Sequence, residues 1–176
     1  MNEYDSHFIT TFTGKKFHYL TPSPDEIRIE DIAHALALTC RFGGQCKEFY
    51  SVAEHSYRVA MIVDKRDKLA ALLHDGHEAY LHDVPRPIKH DISGYAEIAD
   101  KIQSAINEAL GVVVHYPDHL KFADDVLLAT EARDLMPTTE GWAKLPLPLP
   151  QTIQPTNWKL AERVFMDFYS DYRGYF

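Results

Sequence analysis

His74 and Asp75 stand side by side at the end of the apolar run Leu69-Ala70-Ala71-Leu72-Leu73. An imidazole and a carboxylate at the edge of a buried segment are costly unless something pairs with them. A divalent metal ion is the usual partner for that combination, and the chain offers further ligands for one. His55 lies upstream in Ala53-Glu54-His55-Ser56, and Asp124 and Asp125 lie downstream in Phe122-Ala123-Asp124-Asp125. The order His…His-Asp…Asp is that of a one-metal site built from nitrogen and oxygen donors, for Mn, Fe, Co, Ni, Zn or Mg. Such a set leaves positions open for water and substrate, as a catalytic site requires. Taken alone, His55 is most simply a hydrogen-bonded core residue on an apolar helical stripe. The His-Asp pair is what makes it a ligand candidate.

Other residues near these could carry chemistry. Glu78 follows on the same helical face as His74 and Asp75. A carboxylate there can orient or deprotonate an attacking water; otherwise it is an exposed helix residue. Asp83, in Leu81-His82-Asp83-Val84-Pro85, has the same catalytic reading, beside the plainer one of a cap before a proline turn. Arg41 precedes Phe42-Gly43-Gly44, and a guanidinium beside an aromatic and a loop that permits close backbone approach suits a phosphate. Arg86 and Lys89 follow Pro85, and the place of Lys89 just after the metal-bearing segment makes it a second anion ligand. A solvated surface charge is the alternative for each cation. Of the 10 histidines, His77 and His82 are near enough to His74 to suggest a second ion. His7, His18, His34, His90, His115 and His119 match no ligand position.

These residues need a scaffold. β-branched and aromatic residues around Gly14-Lys15, within Phe8 to Tyr19, predict a small hairpin. Thr21-Pro22-Ser23-Pro24 is a stiff connector. Apolar spacing predicts helices from Ile29 to about Cys40, closed by Gly43-Gly44, and from Ser51 to Val63, with Val52, His55, Val59 and Ile62 on one stripe. A third, from about Arg66 to Leu81, carries His74, Asp75 and Glu78, and Pro85 and Pro87 stop the turn after it. Further helices are expected over Tyr95 to Leu110, roughly Pro117 to Leu135, and about Trp158 to Tyr169. Between the last two, Lys144 to Pro155 is proline-rich and must cross the surface in extended form. The expected fold is all-α: an irregular helical bundle with a short N-terminal β-hairpin, one domain over residues 1–176.

The 176 residues are 45% hydrophobic, enough for a real core, and carry a net charge of -8. That balance argues against long duplex nucleic acid, whose binding needs a basic face. It leaves room for a small anionic ligand held by a few cations. Two cysteines, Cys40 and Cys46, form no CxxC, so neither a disulfide framework nor a structural zinc site is expected. Met1–Asp5 has no basic and apolar leader, and no apolar run approaches the ~18 residues of a membrane span, so a cytoplasmic protein without membrane attachment is expected.

Several stretches together carry a family resemblance: Asp31-Ile32-Ala33-His34-Ala35-Leu36, Cys40-Arg41-Phe42-Gly43-Gly44, Phe49-Tyr50-Ser51-Val52-Ala53-Glu54-His55-Ser56, Ala71-Leu72-Leu73-His74-Asp75 with Glu78-Ala79-Tyr80, Asp83-Val84-Pro85-Arg86-Pro87-Ile88-Lys89, and Lys121 to Leu135. They resemble the HD-domain metal-dependent phosphohydrolases, in particular the short phage- and prophage-type branch that includes bacterial 5′-deoxynucleotidases and phage deoxynucleoside triphosphate triphosphohydrolases. The resemblance covers most of Phe8 to Leu135. It implies an HD-type bundle whose metal ligands are His55, His74, Asp75 and Asp124. Asp124 is favoured over Asp125 because Ala123-Asp124 with Glu131 matches the family's Ala-Asp…Glu pattern. Asp125 is then a solvated neighbour and Glu131 a structural or supporting acid. It also implies that Glu78 and Asp83 handle the attacking water, that Arg41, Phe42 and Lys89 bind substrate, and that the partner is a small nucleotide, monophosphate or triphosphate. The best-known nucleotidases have Trp where Phe42 stands, and short relatives often have His where Gln45 stands. Assembly as a homo-oligomer is expected. The competing expectations are a di-iron HD-fold oxygenase, which would need further ligand histidines, and a non-catalytic nucleotide-binding or regulatory phage protein.

Overall fold

The computed structural model of the chain describes residues 7–174. Two short strands form the hairpin: β1, Ile9–Thr10, pairs antiparallel with β2, Lys16–Phe17, with Ile9 opposite Phe17. Its turn uses Gly14 at φ 81°, where a side chain would be strained. The buried carboxylate of Asp31 accepts from the Thr13 N–H at 2.6 Å and the Thr13 hydroxyl at 2.9 Å, and so moors the hairpin to the first helix. Phe17 is fully buried, stacked on Tyr80.

Helix α1 covers Ile29–Leu38 and α2 covers Val52–Ile62. α1 ends before the expected Cys40, because Thr39 is extended and Cys40 forms an antiparallel bridge with Ser51. Gly43 and Gly44 lie beyond it in a short 3₁₀ turn, Arg41–Gly44. The Ser51 hydroxyl accepts from the Glu54 N–H at 3.0 Å and caps α2, the helix that carries His55. Ser51→Ala is expected to destabilise the protein by about 0.5–2 kcal/mol, read as a lower urea midpoint at unchanged slope.

The single helix expected from Arg66 to Leu81 is instead broken. After a 3₁₀ turn, Lys65–Asp67, α3 covers Lys68–Leu73 and α4 covers Glu78–Leu81. Between them the Gly76 N–H bonds to the Leu73 carbonyl and the Glu78 N–H to the Asp75 carbonyl, each at 3.0 Å, so the chain tightens to the three-residue repeat. A Cβ at position 76 would meet the Leu73 carbonyl at 3.0 Å and the Ile106 side chain at 3.2 Å, so a side chain here would push its neighbours aside by a few tenths of an ångström. Pro85 and Pro87, expected to stop a turn, start a helix: α5 covers Arg86–Asp91 with Pro87 in its first turn, where a missing N–H costs nothing. α6, Tyr95–Leu110, and α7, Pro117–Leu135, match the expected spans. α8, Trp158–Tyr172, runs one turn beyond the expected end.

The core gathers residues of α1, α2, α3, α6, α7 and α8, among them Ile32, Leu36, Val59, Leu72, Ile106, Leu127 and Phe165. The proline-rich stretch is neither helix nor strand over residues 143–157. Polar side chains of the helices bind its backbone. Arg133 donates to the carbonyls of Leu149 and Gln151, Thr130 accepts from the Leu149 N–H, and buried Glu54 accepts from both the N–H and hydroxyl of Thr156. Among the described residues no helix is long and apolar enough to cross a membrane. The leader reading rests on Met1–Asp5, which lie outside the described residues.

Candidate metal centre

α2, the turn after α3 and α7 meet at the centre. His55 Nδ1 is 2.7 Å from Glu131 Oε1, and His74 Nδ1 is 2.7 Å from the Ala71 carbonyl. Both partners are acceptors, so each Nδ1 carries a proton, and each Nε2, once it gives up its own, presents a lone pair to the interior. The two Nε2 atoms lie 3.3 Å apart. With those protons gone, two lone pairs facing at that distance need a cation between them. Asp124 Oδ1 lies 3.2 Å from His55 Nε2 and 3.8 Å from His74 Nε2. Asp75 Oδ2 lies 3.6 Å from His55 Nε2 and 3.3 Å from His74 Nε2. Donors held at ~2.1 Å from one ion in tetrahedral or octahedral arrangement stand about 3.0–3.4 Å apart. The observed separations fit such an ion with little adjustment. His55, His74 and Asp124 form the tight group, and Asp75 reaches both imidazoles from beside it.

The electrostatics point the same way. Burial opposes protonation of His74, but Asp75 and Asp124 outweigh it and hold its pKa well above the usual range. For His55, burial and Arg41 oppose a proton, while Glu131 and Asp124 prevail and raise it. In turn the imidazoles hold Asp75 and Asp124 far below the ordinary carboxylate range against the effect of burial. A site that draws protons this strongly also draws a divalent cation, which must displace them. Metal uptake is therefore expected to release protons and to weaken as the pH falls. Calorimetry in two buffers of different ionisation enthalpy checks this; a heat independent of buffer contradicts it.

Glu131, two turns beyond Asp124 on α7, is fully buried and orients the centre. One carboxylate oxygen accepts from His55 and the other from Arg41 at 3.2 Å. This is the carboxylate–histidine–metal arrangement that fixes a ligand's ring and tautomer. Arg41, itself buried, also lies 3.5 Å from Asp75. Its Nε has no partner among the described residues.

Glu78, 1% exposed, sits at the start of α4. Its Oε1 accepts from Lys89 of α5 at 2.7 Å, and its buried Oε2 has no partner among the described residues. Burial, with Asp75 and Asp83 nearby, pushes its pKa up to about 8. Asp83 accepts the Phe42 N–H at 2.6 Å, so it anchors the Arg41–Gly44 turn. Phe42 adopts φ 57°, a rare backbone for a non-glycine residue, and its ring lies 6.1 Å from that of Trp142. The structure thus brings every sequence-predicted site residue to one region, but with both candidate anion-binding cations already engaged by carboxylates.

Two residues went unnoticed in the sequence: Gln103, which ties this turn to α6, and Trp142, beside Phe42 in a stretch with no periodic signal. Gln103 donates to the Leu73 carbonyl at 2.8 Å and accepts from the His77 backbone at 3.2 Å. His77 also turns its Nδ1 to Gln103, and among the described residues His77 and His82 do not come together as a ligand group. Asp125 pairs with Lys121 at the surface rather than joining the centre.

No family profile matches the chain. It is similar to a protein of Escherichia coli (strain K12) named Uncharacterized protein YfdR, with 41% identity over 128 residues, 73% of this chain and 72% of the relative. It is also similar to Uncharacterized protein RCAP_rcc00048 of Rhodobacter capsulatus, with 37% identity over 145 residues, 74% of each chain. At that identity and coverage, the chain belongs to the family that includes YfdR and RCAP_rcc00048.

Proposed function

We propose that the protein is an HD-type, metal-dependent phosphohydrolase that acts on deoxynucleotides, releasing phosphate from monophosphates or triphosphate from triphosphates. The observation that carries this reading is the pair of facing imidazole Nε2 atoms, 3.3 Å apart, flanked by Asp75 and Asp124. When bound, a divalent ion supplies a Lewis acid for a phosphoryl oxygen and a more acidic water. The chain's own groups do the rest. Glu78 is buried beside the centre with one oxygen unpartnered, and it accepts the proton of the attacking water. Lys89 partly offsets the burial that holds a proton on that carboxylate, and faces the incoming anion together with Arg41. Phe42 and Trp142 offer two rings for the sugar or base. Selection against a 2′-hydroxyl by such a shaped pocket is worth only about 1–3 kcal/mol.

Glu78→Gln is expected to lower kcat by about 10²–10⁴-fold with metal retained, and to remove the acidic limb of the pH–rate profile. The sign follows from the role: a base works ionised, so wild-type rate rises with pH through its pKa, and an amide has none. Normal turnover in this variant would take Glu78 out of the reaction. The reading as a whole is tested with a panel of deoxynucleoside mono- and triphosphates and ribonucleotides, each with Mn, Co, Mg and Zn, following both phosphate and triphosphate release. Tight nucleotide binding with no turnover under any metal would make the protein a binding protein instead. Bound iron with oxygen consumption would make it an oxygenase.

A further inference from the structure

Cys40 and Cys46 bracket the Arg41–Gly44 turn, and their Sγ atoms lie 3.6 Å apart. Both are free thiols and partly exposed, so a small oxidant can reach them. The segment between them is tied to the centre at three points. Arg41 binds Glu131 and Asp75, the Phe42 N–H binds Asp83, and Cys40 bridges to Ser51, the cap of the His55 helix. The same segment holds its backbone at positive φ at Phe42 and Gly43, 57° and 59°. A Cβ on Gly43 would meet Pro85 at 3.2 Å, so the turn is also packed against the loop that carries Asp83.

We propose that Cys40 and Cys46 are a reversible thiol–disulfide pair that, on oxidation, displaces the Arg41–Phe42 turn from the metal centre. A disulfide needs the sulfurs ~2.05 Å apart and the Cβ atoms about 3.5–4.5 Å apart. Closing the remaining gap requires side-chain rotation and a small backbone shift at the two ends of a five-residue segment. It also removes the Cys46 S–H that donates to the Arg41 carbonyl at 3.7 Å. The oxidant is a low-molecular-weight disulfide. The Cys40 thiolate attacks one sulfur of the oxidant, its S–S bond breaks, and the departing thiolate takes a proton from water. Cys46 then loses its proton and attacks the Cys40 sulfur of the mixed disulfide, which expels the second thiol. Two protein thiols are oxidised and one external disulfide is reduced. Burial, aided by its neighbour Cys40, pushes the Cys46 thiol up to about 11, which makes Cys46 a poor first nucleophile. A bond closed across so short and constrained a segment is readily reduced again.

The test uses the full chain, metal-loaded, titrated with oxidised glutathione. The expected product has lost the mass of two hydrogens, and trypsin, cutting after Arg41, leaves the two cysteine peptides linked. In a Trp158→Phe background the emission of Trp142 shifts as the turn moves, and reductant restores it. kcat/KM falls by about tenfold or more, since misplacing a positioning group by ~1 Å can cost 100-fold. Cys40→Ser and Cys46→Ser keep the reduced rate and form no intramolecular bond; Cys46→Ser stops at the glutathione mixed disulfide on Cys40, read as the added mass of one glutathionyl group. Failure to form the intramolecular bond, or a bond that leaves Trp142 emission unchanged, overturns the proposal. The effect on rate rests on the phosphohydrolase reading; bond and emission do not. If the reduced protein hydrolyses no phosphate ester, that reading fails while the pair is still judged by mass and fluorescence.

Discussion

Alanine at Asp124 is expected to strip the divalent ion from the protein and to abolish turnover while the fold survives. Asp124 is the one carboxylate in the tight group, and without it the two Nε2 lone pairs keep only Asp75 to hold a cation. Losing even a supporting partner of a ligand lowers metal affinity by about 10–100-fold, and losing the ligand itself costs more. The carboxylate is partly exposed, at 24% of its side chain, so little packing is lost. Elemental analysis after gel filtration gives the metal content, and thermal unfolding gives the fold. Asp75→Ala should behave alike, with an added loss of stability because Arg41 loses one of its two carboxylates. Full metal occupancy in the Asp124 variant would remove the assignment.

The larger structural loss is expected at Glu131, which touches no ion. Its carboxylate is fully buried between His55 and Arg41, and both partners are themselves buried. Glu131→Ala leaves a guanidinium without its nearest counter-charge and an imidazole without its acceptor. Breaking a buried pair from one side costs about 3–5 kcal/mol, a large share of a domain's ~5–15 kcal/mol. The variant should therefore unfold at markedly lower temperature, and what stays folded should bind metal about 10–100-fold more weakly. Glu131→Gln keeps an acceptor for His55 and should recover part of the metal affinity while losing the ion pair. Burial raises the pKa of Glu131, but His55 and Arg41 outweigh it and hold it below the ordinary value. A depressed carboxylate stabilises at neutral pH and loses that contribution as the pH falls through its folded pKa. In metal-free protein the gap in stability between wild type and the Gln variant should thus close only below about pH 4. A gap that persists into stronger acid would show that Glu131 acts through packing rather than charge.

The local elements were legible because they depend on near neighbours. The apolar spacing of α6 and the glycine after Leu110 set that helix from residues a turn or two apart, and Pro117 marks the start of α7. The glycine turn set the hairpin. The ligand candidates were legible because His-Asp at the end of an apolar run is too costly to leave unpaired, and that pair is what turned His55, otherwise a plain core histidine, into a third candidate. The break after Leu73 was not: the turn there packs Gly76 closely against Ile106, a residue of another helix. Nor were the partners of the cations. Arg41 and Lys89 read as free charges along the chain, yet Arg41 meets Glu131 from 90 positions away and Lys89 meets Glu78 across a turn. The pairing of Cys40 with Cys46 depends in the same way on a bridge between Cys40 and Ser51 that bends the segment back on itself. Residue types and short-range spacing marked out the groups that could bind a metal, and the family resemblance favoured Asp124 over Asp125 among them. The tertiary packing decided which lone pairs face one another, because proton positions, counter-charges and the break in the helix are set by contacts between elements far apart in the chain.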